Sequence, residues 1–311
     1  MMLSRVASHL YWMARYLERA ENMARILDVG QLLSLVSRGA GSEASAIEPL
    51  VITNSLDAFD ASGRARTPED VAGYLAWDGL HDSSIFNCLR NSRENARAVR
   101  ADITTEMWED INDTWLHLLQ KRHQDHEPAD NAFFEWVKER SHLFRGITFA
   151  TIRRDQPYHF IRLGTFIERA DNTARILSVK QSTRGTSQAG DEVTDYYRLS
   201  AVLRSVSAFE AYRDTYRDGV DERHVAELLI LDPTLPRSLR FCFDEIVRIL
   251  TLLPGATAKP ARRLAVTLLA NLEFASIEEI YSEDYHGFLE RFLLETAQLG
   301  DALHHAYLEL K

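Results

Sequence analysis

Long apolar runs are missing from this chain of 311 residues. Its most apolar stretch, around Leu264 to Leu272, falls far short of the roughly 20 residues needed to cross a bilayer, so no membrane partner is expected. Cysteine is scarce. Cys88 and Cys242 are the only two, too few for a thiolate metal site and unneeded as a disulfide framework, which suits a reducing, cytoplasmic setting. Positive charge is in deficit, with 36 Lys and Arg against 46 Asp and Glu and a formal net charge of −10. Nucleic-acid grooves need clustered cations, so no nucleic-acid partner is expected either. There is no Gly-rich phosphate loop, no Gly-x-Ser-x-Gly elbow and no His-Glu-x-x-His, which leaves the sequence without a standard ATP site, hydrolase nucleophile or zincin motif.

Apolar residues make up 45% of the chain and aromatics 10%, enough to bury a large core. The organising feature is an internal repeat. A shift of 150 residues lays His9 to Val29 over His159 to Val179 without a gap, and Glu18, Arg19, Ala20, Asn22, Ala24 and Arg25 recur as Glu168, Arg169, Ala170, Asn172, Ala174 and Arg175. A second block, shifted by 154, pairs Val71, Leu75, Asp78, Ser84 and Cys88 with Val225, Leu229, Asp232, Ser238 and Cys242. The four extra residues belong in the loop-like stretch 182–191. Because the motif recurs mid-chain and contains Glu18 and Glu21, the N-terminal segment does not read as a transit peptide. Two repeated halves are expected, 1–150 and 151–311, packed as one globular unit.

Helical periodicity runs throughout. In the first segment Val6, Leu10, Met13, Leu17, Ala20, Ala24 and Leu27 share a broad face at 3.6-residue spacing. Thr67-Pro68-Glu69-Asp70 reads as a capping box with Pro at the first helical position, and Asp82-Ser83 as a further cap. Further helices are expected at about 83–99, 102–122, 130–153, 192–217, 219–231, 236–252, 259–279 and 283–309, with a break at Pro254-Gly255. The expected fold class is an all-α bundle of roughly a dozen helices in two pseudo-symmetric halves.

On a helical wheel Glu18, Asn22 and Arg25 form a stripe opposite the apolar face, flanked by Tyr11, Ala14 and Glu21. On an ordinary helix such a stripe is solvated. Here it recurs between the copies at least as faithfully as the apolar face, where Met13, Tyr16, Leu17 and Met23 all change. Two readings follow. The stripes lock the halves together through a buried ionic lattice, Glu18 meeting Arg175 and Glu168 meeting Arg25, or they line a pocket whose arginines hold a carboxylate or phosphate. The candidate binding residues are Glu18, Asn22, Arg25, Glu168, Asn172 and Arg175, joined by Arg93 and Arg97 of the Arg93-Glu94-Asn95-Ala96-Arg97 segment. A carboxylate beside an arginine is a poor proton donor near neutral pH, so recognition is favoured over catalysis and no catalytic residue is assigned. Two Glu-x-x-His pairs, Glu139/His142 and Glu283/His286, have the spacing of a di-iron bundle; with 11 His in the chain, about one such match arises by chance. No metal or other cofactor is assigned. His123 and His126 read as solvated.

The opening Met2-Leu3-Ser4-Arg5-Val6-Ala7-Ser8-His9-Leu10-Tyr11-Trp12-Met13-Ala14-Arg15-Tyr16-Leu17-Glu18-Arg19-Ala20-Glu21-Asn22 resembles the alpha-E domain family, bacterial helical proteins of unknown function with a Glu-Arg motif. Ser92 to Arg97 and Phe166 to Arg175 resemble its later blocks. The resemblance covers essentially the whole chain. It implies a circularly permuted ATP-grasp ligase as partner, often with a transglutaminase-like cysteine protease, in a pathway that makes or trims a peptide or amide product. The expected role is an accessory or substrate-binding subunit of that ligase. The alternatives are a stand-alone helical enzyme, including a metal-dependent one, acting on the ligase product, and a purely structural scaffold.

Overall fold

The computed structural model describes residues 2–36, 42–123, 129–182, 192–255 and 258–309. Within them the chain is all-α, with no strand. The first half supplies α1 (Ser4–Val36), α2 (Ser42–Ile52), α3 (Leu56–Ala61), α4 (Pro68–Trp77), α5 (Ile85–Ala98), α6 (Thr105–His123) and α7 (Asn131–Thr151). The second supplies α8 (Gln156–Ser182), α9 (Glu192–Ser205), α10 (Phe209–Thr215), α11 (Glu222–Leu231), α12 (Leu239–Leu252), α13 (Lys259–Glu273), α14 (Ile277–Glu283) and α15 (Tyr285–Leu303), closed by a π-turn at His304–Leu308. No helix among the described residues is long and apolar enough to cross a membrane. The stretch 183–191 and His126 fall outside the described residues, as does the His123 side chain.

The two motif helices form the axis of the molecule. α1 packs along α8 and is sheathed by α5, α7, α9 and α2, so every residue from Ala20 to Leu27 is buried. Alanines let the two backbones come close: Ala20, Ala24, Ala170 and Ala174 are all fully buried. The tightest approach is at Gly164, where a Cβ would lie 2.3 Å from the Tyr11 carbonyl oxygen. Gly164→Ala should therefore cost about 1–3 kcal/mol by forcing the helices apart. Gly146→Ala on α7, where a Cβ meets nothing within 4 Å, should instead gain about 0.5–1 kcal/mol from helix propensity. Urea denaturation of the two variants checks both signs.

Local signals set most helix ends. Thr67 caps α4 by accepting from the Asp70 amide at 3.1 Å, with Pro68 in the first turn. The cap expected at Asp82-Ser83 is made instead by Ser84, which accepts from the Asn87 amide and donates to the Asp78 carbonyl. Ser238 does the same at α12, accepting from Phe241 and donating to Asp232, so the helix expected from 236 starts only at Leu239. The expected helix 192–217 breaks at Ser207 (φ 52°), which ends α9 in a left-handed cap with the Ala208 amide returning to the Leu203 carbonyl at 2.7 Å. The expected helix 259–279 also divides. Ser276 starts α14 with a reciprocal capping box to Glu279.

Candidate binding site at the crossing of the two motif helices

The polar stripe of α1 faces protein, not water. Glu18, Glu21, Asn22 and Arg25 are all buried, as are Glu168, Arg169 and Asn172 on α8. Glu18 takes Arg169 side-on, with Nε at 2.9 Å and Nη2 at 3.1 Å. In the same side-on geometry Glu168 takes Arg19, with Nε at 2.6 Å and Nη2 at 2.9 Å. Each Glu-Arg pair of one motif thus binds the Glu-Arg pair of the other. The expected partners, Glu18 with Arg175 and Glu168 with Arg25, are not the ones formed. Arg175 instead turns back to Asp171 at 2.7 Å and Arg25 to Glu21 at 2.9 Å, both one helical turn away.

Further arginines converge on the α1 side. Arg237, in the turn before α12, reaches Glu18 at 3.1 Å, Glu21 at 2.7 Å and the Asn22 side-chain oxygen at 2.7 Å. Arg145 of α7 reaches Glu18 at 3.0 Å and also binds Glu21 and Ser141. His142 Nε2 lies 3.1 Å from Arg25 Nη2 and 3.4 Å from Glu21, and Arg25 donates to Ser207 at 2.6 Å. On the α8 side Arg15 joins Arg19 on Glu168 at 2.7 Å. The turn before α12 is itself fixed to α8, because Arg169 donates to the Pro236 carbonyl and Thr173 to that of Arg237.

The charges do not balance. Two carboxylates, Glu18 and Glu21, face four guanidinium groups, those of Arg25, Arg145, Arg169 and Arg237, leaving a local surplus of two positive charges. Titration behaviour reflects this. Burial alone would raise the carboxyls of Glu18 and Glu21, yet Arg169 and Arg237 outweigh it for Glu18, and Arg237, His142 and Arg145 hold Glu21 well below the usual range. Burial likewise opposes ionisation of Glu168, but Arg19 and Arg15 hold it at about 2. Arg237 moves the other way. Burial, with Arg169 and Arg25 adding repulsion, lowers it to about 10 despite Glu18 and Glu21. These carboxylates are locked in the ionised form, unsuited to donating a proton near neutral pH.

Two cavities border the lattice. One of about 140 Å³ lies between α1, α7 and α8, lined by Glu18, Arg145, Arg162 and Arg169 and by the aromatic rings of Phe144, Phe149, Tyr158 and Phe166. A second, of about 350 Å³, includes Arg25, Lys138, Arg204 and Ser207. Asp28, Glu135 and Glu210 line it as well, and Lys138 is bound to two of these acids at 2.8 and 2.7 Å. Of the sequence-derived candidates, Glu18, Asn22 and Arg25 therefore share one cluster with each other, and Glu168 sits in the neighbouring set with Arg15 and Arg19. Asn172 is buried beside it, its side-chain nitrogen, like that of Asn22, without a partner among the described residues. Arg175 lies outside with Asp171. Arg93 and Arg97 sit on α5, engaged with Glu94, Asn112 and, for Arg93, the face of Trp108. Sequence reasoning gave no role to Arg19 and Arg169, although both recur in the repeat, and it missed Arg145 and Arg237, which have no repeat signal.

The two Glu-x-x-His pairs do not assemble. His142 serves the Glu21–Arg25 contact and His286 pairs with Glu290 at 3.2 Å. Among the described residues no group of three or more His, Cys, Asp or Glu side chains is placed to hold a metal ion.

A helical module built around paired Glu-Arg motifs is the class that this fold and site define. Residues 2–308 match the Alpha-E family, described as a predicted alpha-helical domain with a conserved ER motif, and the chain belongs to that family. Among similar proteins are uncharacterized proteins of Mycobacterium tuberculosis (strain H37Rv) and Mycobacterium bovis, each 26% identical over 285 residues, covering 83% of this chain and 31% of the relative. The chain thus spans about a third of the length of these curated relatives. No solved structure matches it.

Proposed function

We propose that the chain is a cytoplasmic accessory or substrate-binding module working with an ATP-grasp amide or peptide ligase, and that its motif helices recognise a substrate instead of transforming it. One observation carries this reading: a largely buried cluster in which four arginines face two carboxylates held ionised near neutral pH. Isolated buried charge is costly, so a surplus of guanidinium beside a cavity favours an anionic ligand. Amide and peptide ligases act on carboxylates, which arginine holds in bidentate fashion. The ligase is proposed as partner on the resemblance to alpha-E proteins, with a transglutaminase-like protease as a further one.

The test is reconstitution with a circularly permuted ATP-grasp ligase from the same source, followed by co-purification and ATP-dependent amide formation. Association with altered turnover is expected; no association together with unchanged turnover would overturn the proposal. A scaffold role is favoured by the reciprocal Glu18–Arg169 and Glu168–Arg19 pairs, which tie the halves whatever the cavity holds. On that second reading Arg25→Ala lowers stability but leaves every ligand response of the ligase unchanged.

A further inference from the structure

The cavity between α1, α7 and α8 differs from the other cleft in three respects. It borders Glu18, Arg145 and Arg169 of the lattice with surplus positive charge, whereas in the other Lys138 is bound by Asp28 and Glu135. Its polar groups are not all used. Arg145 binds Glu18, Glu21 and Ser141 through Nη1, and its Nε and Nη2 have no hydrogen bond among the described residues. The Arg162 Nε and the hydroxyl of Thr148, a residue only 4% exposed, are buried without partners among the described residues. A buried donor left unpaired is costly, and here two residues that carry such donors line one space with the half-used Arg145 guanidinium.

The remaining wall is aromatic. Phe144, Tyr158 and Phe166 are buried there, while Phe149 stands 65% exposed at the mouth. Arg154 stacks on Phe149 at 4.2 Å and on Tyr158 at 4.3 Å, adding positive charge at the entrance. At about 140 Å³ the space compares with cavities of about 150 Å³ that admit a benzene-sized molecule. We propose that this cavity binds a small aromatic carboxylate, its ring among Phe144, Tyr158 and Phe166 and its carboxylate on the free donors of Arg145, beside Arg162 and Thr148. This deepens the recognition reading and rests on it. The same chemistry is offered by a free aromatic acid and by a peptide ending in an aromatic residue, whose amide would leave past Phe149.

Calorimetry on the full chain tests this with benzoate, with neutral benzamide, and with N-acetylphenylalanine as the mimic of a peptide end. Benzoate or N-acetylphenylalanine should bind saturably, with benzamide at least about tenfold weaker, since a hydrogen-bonded charge contributes about that factor or more; the tighter of the two acids identifies the source. Arg145→Gln should weaken binding at least about tenfold. It is expected to fold because it reduces the buried surplus of positive charge. Phe149→Ala, at an exposed position, gives a second readout independent of folding and should weaken binding severalfold. Absence of saturable binding by either acid, equal binding of benzamide, or unchanged binding in both variants would overturn the assignment. Carboxylate binding by a chain that neither associates with the ligase nor changes its turnover overturns the proposed partnership alone, and ligase stimulation without carboxylate binding overturns the cavity assignment alone.

Discussion

Glu18→Gln is expected to lower stability by roughly 3–5 kcal/mol, the usual cost of removing one partner from a buried ion pair, and to lower the melting temperature by on the order of 5–10 °C. Glu18 is 1% exposed and is shared by Arg169, Arg145 and Arg237. Neutralising it leaves Glu21 as the only carboxylate among these four guanidiniums, beside an Arg237 that burial already lowers to about 10. Glu168→Gln should cost less, near the bottom of that range. Its partners Arg15 and Arg19 keep 16% and 26% of their side chains exposed and can turn to water when released. Chemical denaturation of the two variants side by side gives the comparison. Equal losses would show that the surplus on the Glu18 side has no energetic weight.

Acid should unfold the protein late and then steeply. Glu168 has a folded-state carboxyl at about 2 against an ordinary 4.5, and Glu18 and Glu21 are also lowered. A carboxyl depressed on folding contributes stability that is fully present above its unfolded value and is lost as pH falls toward its folded value. For Glu168 alone that contribution is about 3 kcal/mol, lost between pH 4.5 and about 2. Asp110 acts in the opposite sense. Burial raises it to about 6 despite Arg140, so its protonation on folding adds modest stability as pH drops from about 6 toward 4. Stability should therefore hold or rise slightly down to about pH 5 and collapse below 4. A midpoint near pH 5 would be incompatible with carboxylates this strongly paired.

The architecture was legible wherever local chemistry decides it. Thr67-Pro68 marked the start of α4, Pro254-Gly255 the gap between α12 and α13, and the 150-residue repeat picked out α1 and α8. Breaks set by tertiary contacts were not legible. Ser207 ends α9 in a left-handed conformation, where its hydroxyl receives Arg25 from a helix some 182 positions away, and nothing near Ser207 in sequence announces that. The Ser276-x-x-Glu279 box, by contrast, was present to be read. Periodicity grouped Glu18, Asn22 and Arg25 on one stripe, but a wheel drawn for a single helix treats the face opposite the apolar side as wet. From Ala20 to Leu27 α1 is instead enclosed by neighbours, and Glu18 just before it is buried too, so the stripe is also interior. The wheel likewise suggested Arg175 as the partner of Glu18. The close crossing at Gly164 brings up Arg169 instead. Arg145 and Arg237 enter from α7 and from the turn before α12, and only the packing of those elements places them.

The central claim is that each Glu-Arg motif is held by the other. A double-mutant cycle on Glu18→Gln and Arg169→Gln measures it, with Glu18→Gln and Arg175→Gln as the control pair. A coupling of about 1–3 kcal/mol is predicted for Glu18 with Arg169, and additivity within about 0.5 kcal/mol for Glu18 with Arg175. Additive losses for the first pair, or strong coupling for the second, would contradict the cross-paired lattice.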